Sequence, residues 1–213
     1  MKLTIINTSV VVTAQNHNPT VLHPSFLEKQ GIVSGVDLSE PPICTPAFAV
    51  VKYANGLTFT TELNKFQVVD NQRHKDFSAS QIPDLTIKYI KSLPHVSYTG
   101  VGINLVGLIE CENPDTVIID RFLKQGDWND ESLKVKDLRL RFTYDVSDAV
   151  LNVSCTAATV QSEALGKRTG IALDVNYHTE VSSLEHAENA INRYEERYND
   201  FPQKARCIFG LEG

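Results

Sequence analysis

The side chains that could carry chemistry in this sequence are scattered rather than gathered into a motif. GxSxG, HExxH and the GxxxxGK[ST] phosphate loop are all absent, which removes the direct routes to a serine hydrolase, a zinc peptidase and a nucleotide hydrolase. Gly100, Gly102 and Gly107 lack the GxGxxG spacing and lie in a run that reads as a strand. They mark places where a neighbour comes close or the strand bends, not a phosphate cradle. His17, His23, His74, His95, His178 and His186 include no i, i+4 pair. A metal would need three ligands converging from separate elements, so no metal and no cofactor is expected. Cys44, Cys111, Cys155 and Cys207 form no CxxC pair. Cys155 falls on the apolar parity of its run and reads as a small buried hydrophobe. No catalytic residue can be named from the sequence.

What does stand out is a set of polar strand faces. Opposite the apolar sides lie Thr58, Thr60 and Glu62, then Tyr98, Gly100, Gly102 and Asn104, then Arg139, Arg141 and Thr143, then Asn152, Ser154 and Thr156, then Asp174, Asn176 and His178. One face of the sheet is therefore polar, and solvent exposure is its default role in an antiparallel sheet. Two further roles compete with that default: self-association, and a concave ligand surface. For the ligand surface the candidate residues are Arg139, Arg141, Asp174, His178, Glu62 and Asn104. Arg139 and Arg141 would hold an anionic group, with His178 or Asp174 placed for proton transfer. The bland reading of Lys134, Lys136, Arg139 and Arg141 is a solvated edge whose charges discourage strand addition. Trp128, between Asp127 and Asp130, reads as a lid over the core or, second, as a contact anchor.

The elements that must position these residues follow from hydrophobic period and turn chemistry. Leu3 to Thr13 is a β-branched run that predicts a first strand. Pro24 to Gly31 predicts a short helical turn, and the stretch to Pro46 a surface loop. Phe48 to Ala54 and Leu57 to Val69 predict a hairpin joined by Asn55-Gly56 in a type I′ turn, with a bulge near Asn64-Lys65 to reconcile Leu57, Phe59, Thr61 and Leu63 with Phe66 and Val68. A polar loop over Asn71 to Ser78 precedes a helix carrying Ile82, Leu85, Tyr89, Ile90 and Leu93. Val96 to Cys111 predicts a long strand, followed by a helix capped by Asn113 and closed by Gly126. Leu138 to Tyr144 and Leu151 to Ala157 predict a second hairpin. Ser162 to Gly170 reads as a loop and Ile171 to Tyr177 as another strand. Ser182 and Glu185 read as the capping box of a last helix ended by Pro202, with Ala205 to Phe209 as a closing strand.

This order predicts an α+β fold: a mostly antiparallel sheet with helices packed on one face. It is read as a single domain over 1–213. An internal echo, Thr99 to Leu105 against Thr169 to Val175, has two readings: chance or convergence between alternating strands, or pseudo-equivalent halves over 1–126 and 131–213. With 26 acidic against 20 basic residues, the net field repels nucleic acid and anionic membrane, so neither is an expected partner. No apolar run is long enough for a membrane span or a signal-peptide core. The separated cysteines fit a reducing cytoplasm. The function these features favour is a non-enzymatic cytosolic binding or assembly protein, with a protein partner or self-association. The alternative is an enzyme or small-molecule binder holding an anionic ligand on the polar face.

Overall fold

The computed structural model describes residues 1–71, 80–130, 132–162 and 166–210. Among these residues nine strands form one sheet: β1 (Leu3–Gln15), β2 (Ile43–Cys44), β3 (Phe48–Lys52), β4 (Leu57–Glu62), β5 (Lys65–Asp70), β6 (Ser97–Glu110), β7 (Arg139–Val146), β8 (Ala149–Ser162) and β9 (Gly166–Glu180). Their spatial order is β2-β3-β4-β5-β1-β6-β9-β8-β7, and every pairing is antiparallel. The helices are α1 (Pro24–Lys29), α2 (Ile82–Lys91), α3 (Pro114–Phe122), α4 (Leu184–Ile191) and α5 (Tyr194–Phe209). Among the described residues no helix is long and apolar enough to cross a membrane.

Alternation decides which face the helices cover. Val10, Val12, Phe66, Val68, Val101, Ile103, Leu105, Leu151, Val153, Leu173 and Val175 are buried on one side, where Tyr89, Ile118, Ala187, Ile191, Phe201 and Phe209 of the helices close over them in a single apolar cluster. Phe66 and Tyr89 stack with ring centroids 3.6 Å apart. Cys155 is buried in this layer, and burial pushes its thiol above the usual range against a hydrogen bond to the Leu140 backbone. The α+β reading, with helices on one face of an antiparallel sheet, therefore holds. The two echo segments fall on β6 and β9, neighbours in mid-sheet, where Gly100 faces Glu180 and Gly170 faces Glu110. The sheet continues through them without a break.

Local differences from expectation have local causes. The Asn55-Gly56 turn is not type I′, because only Gly56 has a positive φ, 86°. The Gly56 amide donates to the Tyr53 carbonyl and the Tyr53 amide to the Leu57 carbonyl. That is a three-residue loop with glycine in the left-handed position. The parity change after Thr61 is a chain reversal, not a bulge: Thr61 pairs with Phe66, so odd positions of β4 and even positions of β5 share a face, and Leu63 is left exposed in the turn. The expected loop over 162–170 is largely strand, since β8 and β9 pair from Val150–His178 out to Ser162–Gly166. Residues 163–165, and most of the polar loop expected over 71–78, lie outside the described residues. Gly126 does not close α3, which ends at Phe122, and Asn113 makes no capping hydrogen bond. Ser183, not Ser182, caps α4 by accepting from the His186 amide at 3.1 Å. Pro202 lies inside α5, and 205–209 is its last part rather than a strand. Trp128 is no lid on the core: it is exposed, beside Gly126, and its Nε1 donates to the Lys124 carbonyl at 2.8 Å.

Candidate functional site

The face opposite the helices, across the six adjoining strands β5, β1, β6, β9, β8 and β7, carries the candidate site. Register places Ser9 opposite Asn104, Asn104 opposite Asn176, Asn176 opposite Asn152, and Asn152 opposite Thr143. Residues opposed in an antiparallel pair point to the same side, so five strands hold their polar side chains in one row. These join into a hydrogen-bonded belt. Gln67 Nε2, from β5, donates to Ser9 Oγ at 3.1 Å and Asn104 Nδ2 donates to the same oxygen at 3.3 Å. Asn176 Nδ2 donates to Asn104 Oδ1 at 2.8 Å and Asn152 Nδ2 to Asn176 Oδ1 at 3.5 Å. Arg141 Nη2 and Thr143 Oγ1 both donate to Asn152 Oδ1 at 3.0 Å. From Arg141 to Ser9 every amide donates in the same direction, so the dipoles align and each bond polarises the next.

The belt floors a concave groove of about 640 Å³, within the size range of small-molecule sites. Lys65, Gln67, Ser9, Thr13, Asn104, Arg141, Ser154, Asp174 and His178 line it. Gly100 and Gly102 keep the floor low. A Cβ on Gly102 would lie 2.8 Å from Asn176 Nδ2, and one on Gly100 would lie 2.7 Å from Thr13 Oγ1 and 2.8 Å from His178 Cε1. These glycines thus make room for belt and histidine side chains, a role the alternating pattern alone does not reveal.

Of the six ligand-surface candidates, the groove brings together Arg141, Asp174, His178 and Asn104. Arg139 and Glu62 are not among its lining residues. Arg139 is exposed at the start of β7, and Glu62 pairs with Lys65 at 3.0 Å at the β4–β5 turn. Tyr98 leaves the polar face altogether. A register shift between Thr13–Gly100 and Ala14–Tyr98 turns it into the apolar layer, where its hydroxyl donates to the Ile90 and Leu93 carbonyls, both at 3.0 Å. Ser9, Gln67 and Lys65 were missed. Their signal was available in β1 and β5, where Ser9, Val11 and Thr13 alternate with the buried Val10 and Val12.

Chemically, the groove offers amide and hydroxyl groups, one carboxylate, one imidazole and the cations Lys65 and Arg141. Arg141 is exposed and, among the described residues, has no carboxylate within 4.0 Å. Asp174 faces Ser154 across the β8–β9 pair, but His178 is four residues further along β9, about 13 Å at the rise of a strand. Serine, carboxylate and imidazole therefore form no proton relay here. Among the described residues no three His, Cys, Asp or Glu side chains gather in metal-binding geometry.

Two polar clusters lie on the helix-covered side. Tyr194 shares a hydrogen bond of 2.9 Å with Thr8, and Ser80 donates to Asp70 at 3.0 Å. Burial pushes the Tyr194 hydroxyl up to about 12, against hydrogen bonds with Thr8 and Ser80. Thr8 and Asp70 have no exposed surface, so no solute touches them. The other cluster ties the β7–β8 turn to α5: the buried Arg197 pairs with Asp148 and lies 5.2 Å from the Tyr177 ring centre, while Tyr177 donates to Asp200 at 2.8 Å. A concavity of about 620 Å³ beside it is lined by Glu196, Arg197, Asp200 and Lys204, charges already engaged with one another or with Asp148. Comparison with protein-family models and with curated proteins finds no match for this chain.

Proposed function

We propose that this chain is a non-enzymatic binding protein of the cytoplasm whose ligand lies in the polar groove, with an anionic group at Arg141 and hydrogen-bonding groups along the amide belt. The belt carries the reading. Side chains from six strands are fixed in one hydrogen-bonded row, so their ordering entropy is already spent before a ligand arrives. Each asparagine uses only part of its donor and acceptor capacity within the belt, which leaves polar groups facing the groove at the strand spacing of about 4.8 Å. Arg141 adds a guanidinium suited to two-point contact with a carboxylate or phosphate. The wide separation of Ser154 and His178 supports binding rather than catalysis. The four free cysteines suit a reducing compartment.

The test is thermal unfolding of the parent and an Arg141→Gln variant across sulfate, phosphate and a panel of small carboxylates and phosphorylated metabolites. A ligand of the native state raises the midpoint by mass action. The parent should be stabilised by at least one anionic compound and the variant should lose that response. A parent indifferent to every compound overturns the reading.

A further inference from the structure

The two edges of the sheet are built differently. At one edge β2 is two residues long, with Pro42 before it and Pro46 just after, which blunts pairing with any further strand. At the other edge β7 is eight residues long, contains no proline or glycine, and among the described residues has no strand on its outer side. It therefore presents a row of unpaired backbone N–H and C=O groups. Its apolar side is only partly covered: Tyr144 keeps 40% of its surface, whereas Leu151 and Val153, on the neighbouring β8, keep 1% and 0%.

We propose that β7 pairs antiparallel with β7 of a second copy of this chain, about a two-fold axis at Phe142, making one continuous sheet across the dimer. The strand is complementary to itself in that register. Phe142 meets its own copy, Leu140 meets Tyr144, Leu138 meets Val146, Arg139 meets Asp145, and Arg141 meets Thr143. Like faces meet throughout, because opposed residues in an antiparallel pair point to the same side. Arg139 and Asp145 are both exposed in the single chain. The charges that would repel a foreign strand thus become two symmetric ion pairs when the partner is a second copy. The polar face is continuous across the same axis, so the two grooves would lie in one trough. The pairing stands independently of any ligand in them.

The experiment is sedimentation equilibrium of the full chain over a wide concentration range. The parent should dimerise. Arg139→Asp and Asp145→Arg should each raise the dissociation constant about tenfold or more, because each replaces two attractive pairs with two repulsive ones. The double variant Arg139→Asp/Asp145→Arg should recover most of the parent affinity. Circular dichroism of all four proteins should show the same secondary structure, since each substituted side chain is exposed. A monomeric parent overturns the proposal, as does a dimer indifferent to both single changes or a double variant weaker than either single one.

Discussion

The two faces of the sheet use the same backbone ladder and differ by one residue of phase. On one, Val10, Ile103, Leu173 and Val153 disappear under the helices; on the other, Asn104, Asn176 and Asn152 stay partly open and, with the buried Ser9, hydrogen-bond to one another. The apolar face is held by burial, which is non-directional and scales with area. The polar face is held by directed bonds, each of modest net value because water competes for the same groups. Stability should therefore reside on the helix side.

The sharpest way to break this contrast is Phe66→Ala, which removes a fully buried ring stacked on Tyr89. It should cost about 3–5 kcal/mol in chemical denaturation. A loss under about 1 kcal/mol would mean that the apolar layer is not where stability lies.

Arg197 tests the charged exception within that layer. Its guanidinium is nearly buried and faces Asp148, so Arg197→Met should destabilise by about 2 kcal/mol, less than for a fully buried pair because Asp148 is partly in water. Partial burial alone would raise the Asp148 carboxyl, but hydrogen bonds from Arg197 and Ser147, with Arg193 nearby, hold it below its ordinary value. A depressed carboxylate contributes stability that is full above its unfolded-state value near 3.8 and is lost as pH falls through the lower folded value. The parent should show that acid-side loss, and the variant should show less of it. Identical acid limbs would remove Asp148 from the account.

On the polar face, Asn176→Ala interrupts the belt at its centre. Water can replace the lost partners, so the expected cost is about 1 kcal/mol. A cost equal to that of Phe66→Ala would erase the distinction between the faces.

The smallest expected effect belongs to His17, buried beyond the end of β1 with neither ring nitrogen hydrogen-bonded. Burial lowers its pKa, opposed by the nearby Val12 backbone. The unfolded chain therefore binds the proton first. The stability contribution is full above the ordinary value of 6.5 and declines as pH falls below it towards the folded value. Replacing His17 with Leu should flatten the unfolding midpoint between neutral pH and about 5; an unchanged slope would place the titration elsewhere.

Much of this architecture was legible in local pattern. The parity of Leu151, Val153 and Cys155, and of Ile171, Leu173 and Val175, marked the buried face correctly, and the spacing of Ile82, Leu85, Tyr89 and Ile90 marked α2. Misreadings came where two local signals were compatible with more than one chain path. The parity change at Phe66 fits a bulge or a reversal equally well, and only pairing with Thr61 distinguishes them. Pro202 predicts a helix end, yet α5 carries it internally, where Phe201, Ala205 and Phe209 are buried on either side of it. Arg139 and Arg141 share a face, but the groove reaches only Arg141.

By itself the sequence determined which residues alternate, where helices recur at 3–4 spacing, and that a polar face would exist, because those follow from the geometry of a few consecutive residues. The tertiary structure alone decided that Asn104, Asn176 and Asn152 stand side by side. They come from strands 72 and 24 residues apart, and a register slip of one residue would turn every member of one strand to the other face. Register and strand order are set by the summed burial of the whole apolar layer, a quantity no short window of sequence contains.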